Sequence, residues 1–171
     1  MAPAPPSWRP LTPADLPAVL ALAAAMHPGY PESPAVFADR LALAPGFCRV
    51  LPGPEAPLGY AIAHPWAGPA PPALDTVLGA LPPRPDRLHL HDIVLAPAAR
   101  GTGQARAVVA ALLQAAAAAG LAGASLLALP GKAGYWAGLG FAPDPLPPGP
   151  ALASYGAGAL PMARRLSRGG P

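Results

Sequence analysis

One stretch constrains the fold of this chain more than any other. It is LHLHDIVLAPAARGTGQARAVVAALLQ, beginning at Leu88. Leu88 to Leu95 is rich in large and β-branched apolar residues and reads as a strand. Pro97, Gly101 and Gly103 break that pattern, and a helical sequence then runs to about Ala119, with Gly120 at the usual C′ position. A strand that feeds a helix through a glycine turn offers backbone N–H groups to an anion at the helix start. The next apolar run, ASLLAL from Ala124 to Leu129, supplies the second strand. It lacks polar alternation, which suits a central place between two layers.

The flanking sequence extends this pattern. SWRPLTPADL predicts a short first strand that ends at a helix start, with Thr12 as cap, Pro13 at the first helical position and Asp15 in the first turn. That helix runs to about Met26, where Pro28 and Gly29 stop it, and Ser33-Pro34 opens a second helix to about Ala44. Phe47 to Leu51 and Leu58 to Ala63 predict a hairpin around PGPEAP, and PALDTVLGAL predicts a short helix. KAGYWAGLG reads as another short helix, GFAPD as a strand, and Tyr155 to Leu166 holds a last strand. The 29 prolines, mostly at the N-terminus and in later clusters, mark loops. The expectation is an α/β chain with a mixed sheet and helices packed on it. It forms a single domain over 1–171, with its core over 8–166 and flexible termini at 1–7 and 167–171.

Composition narrows the function. Net charge is +3 and only 11% of residues are charged. Arg164, Arg165 and Arg168 form the one basic cluster, without the stripe and stacking aromatics of a nucleic-acid binder, so a small anionic ligand fits better. The single cysteine, Cys48, allows neither a disulfide framework nor a thiolate metal site, and its alternating context predicts a buried residue. Ala107 to Leu129 has no charge and could span a bilayer, but Gln114, Gly120, Gly123 and Ser125 interrupt it. LPAVLALAAAM is similar to the apolar part of a signal peptide, yet it follows prolines and Asp15 in place of a basic start. A cytoplasmic protein with no membrane partner, either monomer or homodimer, is expected.

Three kinds of glycine turn bind phosphates at a helix start. The G-x-x-x-x-G-K-[ST] loop is absent. The dinucleotide turn fails because Arg106 stands where a small residue is needed and no Asp or Glu occurs between Asp92 and Asp144. RGTGQA, Arg100 to Ala105, matches [QR]-x-x-G-x-[GA], and YWAGLGF, Tyr135 to Phe141, is similar to FYxxxGF. In this order, and with two helices and a hairpin upstream, the chain resembles the GNAT acetyltransferase superfamily from about Trp8 to Leu166. The resemblance implies a mixed sheet of about six or seven strands splayed in the middle, with four or five helices. It implies acetyl-CoA as co-substrate and no metal. Ile93, Val94 and Leu95 would pair with the pantetheine arm. The turn Arg100, Gly101, Thr102, Gly103, Gln104, Ala105 and Arg106 would hold the pyrophosphate, with Lys132 adding charge and Trp136 beside the cofactor.

Amide formation needs a base for the amine, and His is the side chain whose ordinary range lies nearest neutrality. His89 and His91 are two apart, so on a strand they share a face, with Asp92 opposite. They lie eleven and nine residues before Arg100, a spacing that resembles the His-x-His strand of arylalkylamine N-acetyltransferases. By that likeness they deprotonate the amine, directly or through water. The family's Tyr that protonates the departing thiolate is Trp136 here, and indole cannot donate as an acid, which leaves Tyr135 beside it or water. In MHPGYPES and HPW, Tyr30, Glu32 and Trp66 are candidate acceptor contacts, with His27 and His64 nearby. The implied activity is N-acetylation of a small-molecule or peptide amine by direct attack. Trp136 at the acid position also admits a non-catalytic acyl-CoA-binding or regulatory module on the same fold.

Overall fold

A computed structural model describes residues 5–167. The elements run β1 (Arg9–Pro10), α1 (Leu16–Met26), α2 (Pro34–Leu43), β2 (Cys48–Leu51), β3 (Gly59–Trp66), β4 (Arg87–Leu95), α3 (Gln104–Ala118), β5 (Gly123–Ala128), α4 (Ala133–Gly138), β6 (Ala142–Pro143), α5 (Pro150–Ala153) and β7 (Leu160–Arg165). Arg168 and most of the expected flexible termini lie outside the described residues.

Among the described residues seven strands form one sheet in the order β1-β2-β3-β4-β5-β7-β6, with β4–β5 as its one parallel pair. The α/β architecture with seven strands and five helices is therefore the one expected. The long helix and the buried strand also account for the uncharged segment from Ala107 to Leu129. No helix among the described residues is long and apolar enough to cross a membrane.

The start of α1 follows from local chemistry. The Asp15 carboxylate accepts from the Thr12 N–H and hydroxyl, both at 2.8 Å, and from Arg9 at 2.7 and 2.9 Å. That clasp anchors a 3₁₀ turn, Pro13–Asp15, that leads into α1. α3 buries Val108, Val109, Leu112, Leu113 and Ala116 against Ala61, Ala63, Leu88 and Leu90 on one face of the sheet. α1 and α2 cover the other face through Val19, Phe37 and Leu41, which meet Cys48, Val50, Tyr60, Ile62 and Val94. Cys48 is fully buried, and burial pushes its thiol up to about 11.

Two expectations fail. PALDTVLGAL is not a helix. Its backbone groups bond to side chains instead of to one another: Leu78 and Gly79 donate to Asp39, Asp75 donates to Glu32, and Thr76 carbonyl accepts from the fully buried Arg40. Nor does Asp92 stand opposite His91. The β3–β4 register moves from Ile62↔Asp92 to Ala63↔Leu90, so His91 is the extra residue of a β-bulge. A bulge resets the alternation, and both side chains reach the loop between α1 and α2: His91 meets Glu32 and Asp92 meets His27.

Candidate active site

The sheet opens beside the glycine turn. β4 and β5 pair only over Arg87–His89 and Gly123–Ser125. Past that point β5 continues with β7, and β4 continues with β3. Ile93, Val94 and Leu95 therefore lie on a stretch of β4 with no strand on its β5 side among the described residues. Val94 is buried in the α1–α2 core while Ile93 packs toward α3, so their side chains brace this edge from both faces. His91 belongs to the same edge. Its side chain is only 2% exposed although the residue as a whole is half-buried, so the accessible part is main chain.

The turn is built for close approach to backbone. Gly101 and Gly103 have φ of +72° and +80°, and a Cβ at either would meet no atom within 4 Å. Conformation requires these glycines, and the space over them is open to a ligand. The first helical bond of α3 runs from Ala107 N–H to Gly103 carbonyl at 3.0 Å. The N–H groups of Gln104, Ala105 and Arg106 are thus unpaired within the helix and gathered at its positive end. Thr102 hydroxyl donates to Ala99 carbonyl and fixes the bend. Arg100 and Arg106 are exposed at the turn, and Ala105 is small. Arg100 also reaches Leu95 carbonyl at 3.4 Å and Met26 Sδ at 3.5 Å, which ties the turn to α1. The Gln104 side chain points elsewhere: its amide donates to Pro6 carbonyl, while the Gln104 main-chain carbonyl accepts from Trp8 Nε1.

Across the opening, Lys132 precedes α4, which carries Tyr135 and Trp136. Trp136 is half-buried against the α3-face core, edge-on to Phe141 at 5.6 Å. Tyr135 is 45% exposed and 5.3 Å from Trp136. Partial burial raises its phenol, while Arg106 acts in the other direction.

Two carboxylate–histidine pairs sit where β4 leaves β5. His91 Nε2 lies 2.7 Å from Glu32 Oε1, with the Glu32 side chain 7% exposed. Glu32 Oε2 accepts from the Asp75 N–H at 3.1 Å, and Asp75 Oδ1 accepts from the Ser33 N–H at 2.7 Å. Asp75 holds φ of +57°, an uncommon conformation for a residue with a side chain, and this mutual clasp keeps it there. The second pair is more open. His27 Nδ1 lies 3.4 Å from Asp92 Oδ1, and Tyr60 hydroxyl donates to Asp92 Oδ2 at 2.5 Å. The Asp92 hydrogen bond raises the His27 imidazole above its ordinary value, against the effect of burial. Burial first, and Asp92 second, push the Tyr60 phenol far above its ordinary range.

His89 lies deeper. It is 3% exposed, at the last paired position of β4, with Nδ1 3.3 Å from Ser125 Oγ. Burial holds it well below the ordinary histidine value, so it is a neutral ring. It shares a face with His91, as the spacing predicts, with centroids 6.3 Å apart. His64 joins them at 5.5 Å from His89 and 6.1 Å from His91.

Of the acceptor candidates, Tyr30 is half-buried and edge-on to His27 at 6.4 Å, beside the open pair. Trp66 is elsewhere. It ends β3 opposite Arg87, away from the turn, and its indole N–H is taken by Ala70 carbonyl at 2.7 Å. Sequence reasoning passed over Tyr60, Asp75 and Tyr155. Tyr155 donates to Pro72 carbonyl at 3.5 Å and feels the Glu32 charge. None of the three carries a local signal, because each is brought in by a loop or a neighbouring strand.

The sequence profile of the acetyltransferase (GNAT) family matches residues 16–141, from the start of α1 through Phe141. The chain belongs to the acetyltransferase (GNAT) family. The match spans the splayed strands, the glycine turn and the YWAGLGF segment together. Solved structures share the family fold. A GNAT-like decarboxylase, GphF, in complex with isobutyryl-CoA superposes with a TM-score of 0.80 at 21% identity, covering 94% of this chain and 100% of that one. The ribosomal-protein-S18-alanine N-acetyltransferase from Escherichia coli gives 0.63 at 20% identity over 96% of each chain. N-acetylglutamate synthase from Neisseria gonorrhoeae, complexed with coenzyme A and N-acetyl-glutamate, gives 0.73 at 18% identity over 98% of this chain and 36% of that one. No curated protein sequence matches the chain.

Proposed function

We propose that this GNAT protein is a cytoplasmic N-acetyltransferase that moves an acetyl group from acetyl-CoA to a primary amine of a small molecule or peptide by direct attack. The observation that carries the reading is a coincidence of place. Parallel pairing of β4 and β5 stops at His89 and Ser125, and both carboxylate–histidine pairs stand at that point.

The open space over Gly101 and Gly103 and the three unpaired helix N–H groups suit a pyrophosphate, with Arg100, Arg106 and Lys132 as surrounding positive charge. The free edge at Ile93, Val94 and Leu95 suits an extended amide arm. Acetyl-CoA, when bound, supplies an activated thioester. Backbone N–H groups along that edge stabilise charge on its carbonyl oxygen. Tyr30 and the His27–Asp92 pair receive the amine, and Asp92 favours the ammonium form on arrival. The proton reaches His91 through water at Nδ1, the ring nitrogen that Glu32 does not hold. His89 supports His91 from below, a role aligned with the His-x-His likeness. Tyr135 or water protonates the thiolate.

A carboxylated acyl group is disfavoured by Glu32 and Asp92, which argues against acyl decarboxylation at this site. A panel of primary amines, assayed for thiol release from acetyl-CoA, tests the proposal. At least one amine should raise release well above hydrolysis. Cofactor binding with no amine-dependent release would instead favour a non-catalytic acyl-CoA-binding module, and amine-independent carbon dioxide release from malonyl-CoA would favour decarboxylation.

A further inference from the structure

Three histidine rings are packed into one buried layer, and the hydrogen bonds of two of them fix where their protons sit. The His64 Nδ1 lies 3.1 Å from Pro65 carbonyl. A carbonyl only accepts, so Nδ1 carries the hydrogen and Nε2 is a bare lone pair. The His91 Nε2 lies 2.7 Å from the Glu32 carboxylate, so in the neutral ring Nε2 carries the hydrogen and Nδ1 is the bare lone pair. Both lone-pair nitrogens are buried and have no hydrogen-bond partner among the described residues. The rings are neighbours, with centroids 6.1 Å apart and planes inclined at 47°. Two acceptors cannot bond to each other. A group with two donors between them satisfies both, and water is the smallest such group that a closed polar site holds.

We infer that His64 is a positioning residue for His91, its Nε2 joined through one buried water to His91 Nδ1. The inference rests on the proposed role of His91 as proton acceptor. The chain then runs from Asp75 N–H through Glu32, His91, the water and His64 to the Pro65 carbonyl. In the neutral state the water donates to both rings. When His91 takes a proton at Nδ1, that N–H donates to the water oxygen, and one water hydrogen still donates to His64. No atom leaves the chain, and the new charge lies between the Glu32 carboxylate and a neutral acceptor. His64 stays neutral throughout, because burial pushes it down to about 3.

Charged groups of both signs surround this layer, Asp39 of α2 and Arg87 of β4 among them. Glu32 and His27 come from the α1–α2 loop, Tyr60 from β3, Asp92 and His89 from β4, Ser125 from β5, Asp75 from the loop after β3, and Tyr155 from the segment before β7. Arg40 comes from α2, where it is fully buried, and its positive charge disfavours protons on His64 and His89. Glu32 touches His91 alone among the three rings.

Ring ¹⁵N spectra of the histidine-labelled full chain test this without any turnover. In the wild type, neutral His64 should carry its proton on Nδ1 and neutral His91 on Nε2, with both bare nitrogens shifted by an accepted hydrogen bond. His64→Phe should move His91 Nδ1 to the position of an unbonded nitrogen, and His64→Gln, which restores an acceptor and a donor, should return it. Coenzyme A affinity should be unchanged in both variants. With an amine that turns over, His64→Phe should lower kcat about tenfold, the effect of one charge-assisted hydrogen bond. A His64 proton on Nε2, or a His91 Nδ1 signal that ignores His64→Phe, overturns the inference. If His64→Phe does not fold, the wild-type proton positions decide it. Failure of every amine to react would count against the acetyltransferase reading while leaving these spectra to judge His64.

Discussion

Glu32 holds two groups at once, His91 Nε2 with one oxygen and the Asp75 N–H with the other. That double contact orients His91 beside the acceptor wall we propose. Glu32→Gln keeps the shape and removes the charge, and His91→Ala removes the ring. Each should lower kcat about 10²-fold with coenzyme A affinity retained, measured by thiol release and equilibrium binding. If His91→Ala and His89→Ala both leave the pH profile of kcat/KM unaltered, the histidine pair has no part in proton transfer. His27 gives a pH test of its own. Its folded value is raised, chiefly by the Asp92 hydrogen bond, so its contribution to stability is complete at low pH and disappears as pH rises through that value. The melting temperature gap between wild type and Asp92→Asn should therefore narrow as pH rises above about 6.5. A gap that widens over this range would remove the His27–Asp92 ion pair.

At the scale of elements, the turn between β4 and α3 joins conformation to binding. Gly103 has φ of +80° with open space around it. Gly103→Ala should cost about 1–2 kcal/mol from backbone strain alone. Gly103→Glu should also lose coenzyme A affinity by at least about tenfold, since it adds charge and bulk at the proposed anion site. Calorimetry reads both, and retained affinity in Gly103→Glu would contradict the placement of the pyrophosphate. On the other side of the turn, α3 is held by Leu112, fully buried between Leu88 and Leu90 on β4 and the rest of that core. Leu112→Ala should cost about 2–5 kcal/mol in chemical denaturation.

At the scale of the molecule, the buried imidazoles set the acid limit. His64 and His89 are both neutral when folded, through burial first, and ordinary near 6.5 when unfolded. The unfolded chain therefore binds more protons below that value, and stability should fall as pH drops from about 6.5 toward 5. His64→Phe should reduce the slope over that window, as followed by denaturation at several pH values. An equal slope in the variant would mean that His64 is already charged in the folded protein.

The sequence by itself determined most of the main strands and helices, the glycine turn and the shared face of His89 and His91. These rest on contacts within a few residues: φ at Gly101 and Gly103, a two-residue period along β4, and the Thr12–Asp15 clasp. Only the tertiary structure decided what His91 touches. Glu32 lies 59 residues away in sequence, and Asp75 arrives on a segment that reads as helix but is held open by side chains of α2 and of the α1–α2 loop. The bulge at His91 turned Asp92 onto the same face because the register of β3 against β4 is set by both strands, which a single strand's alternation cannot report.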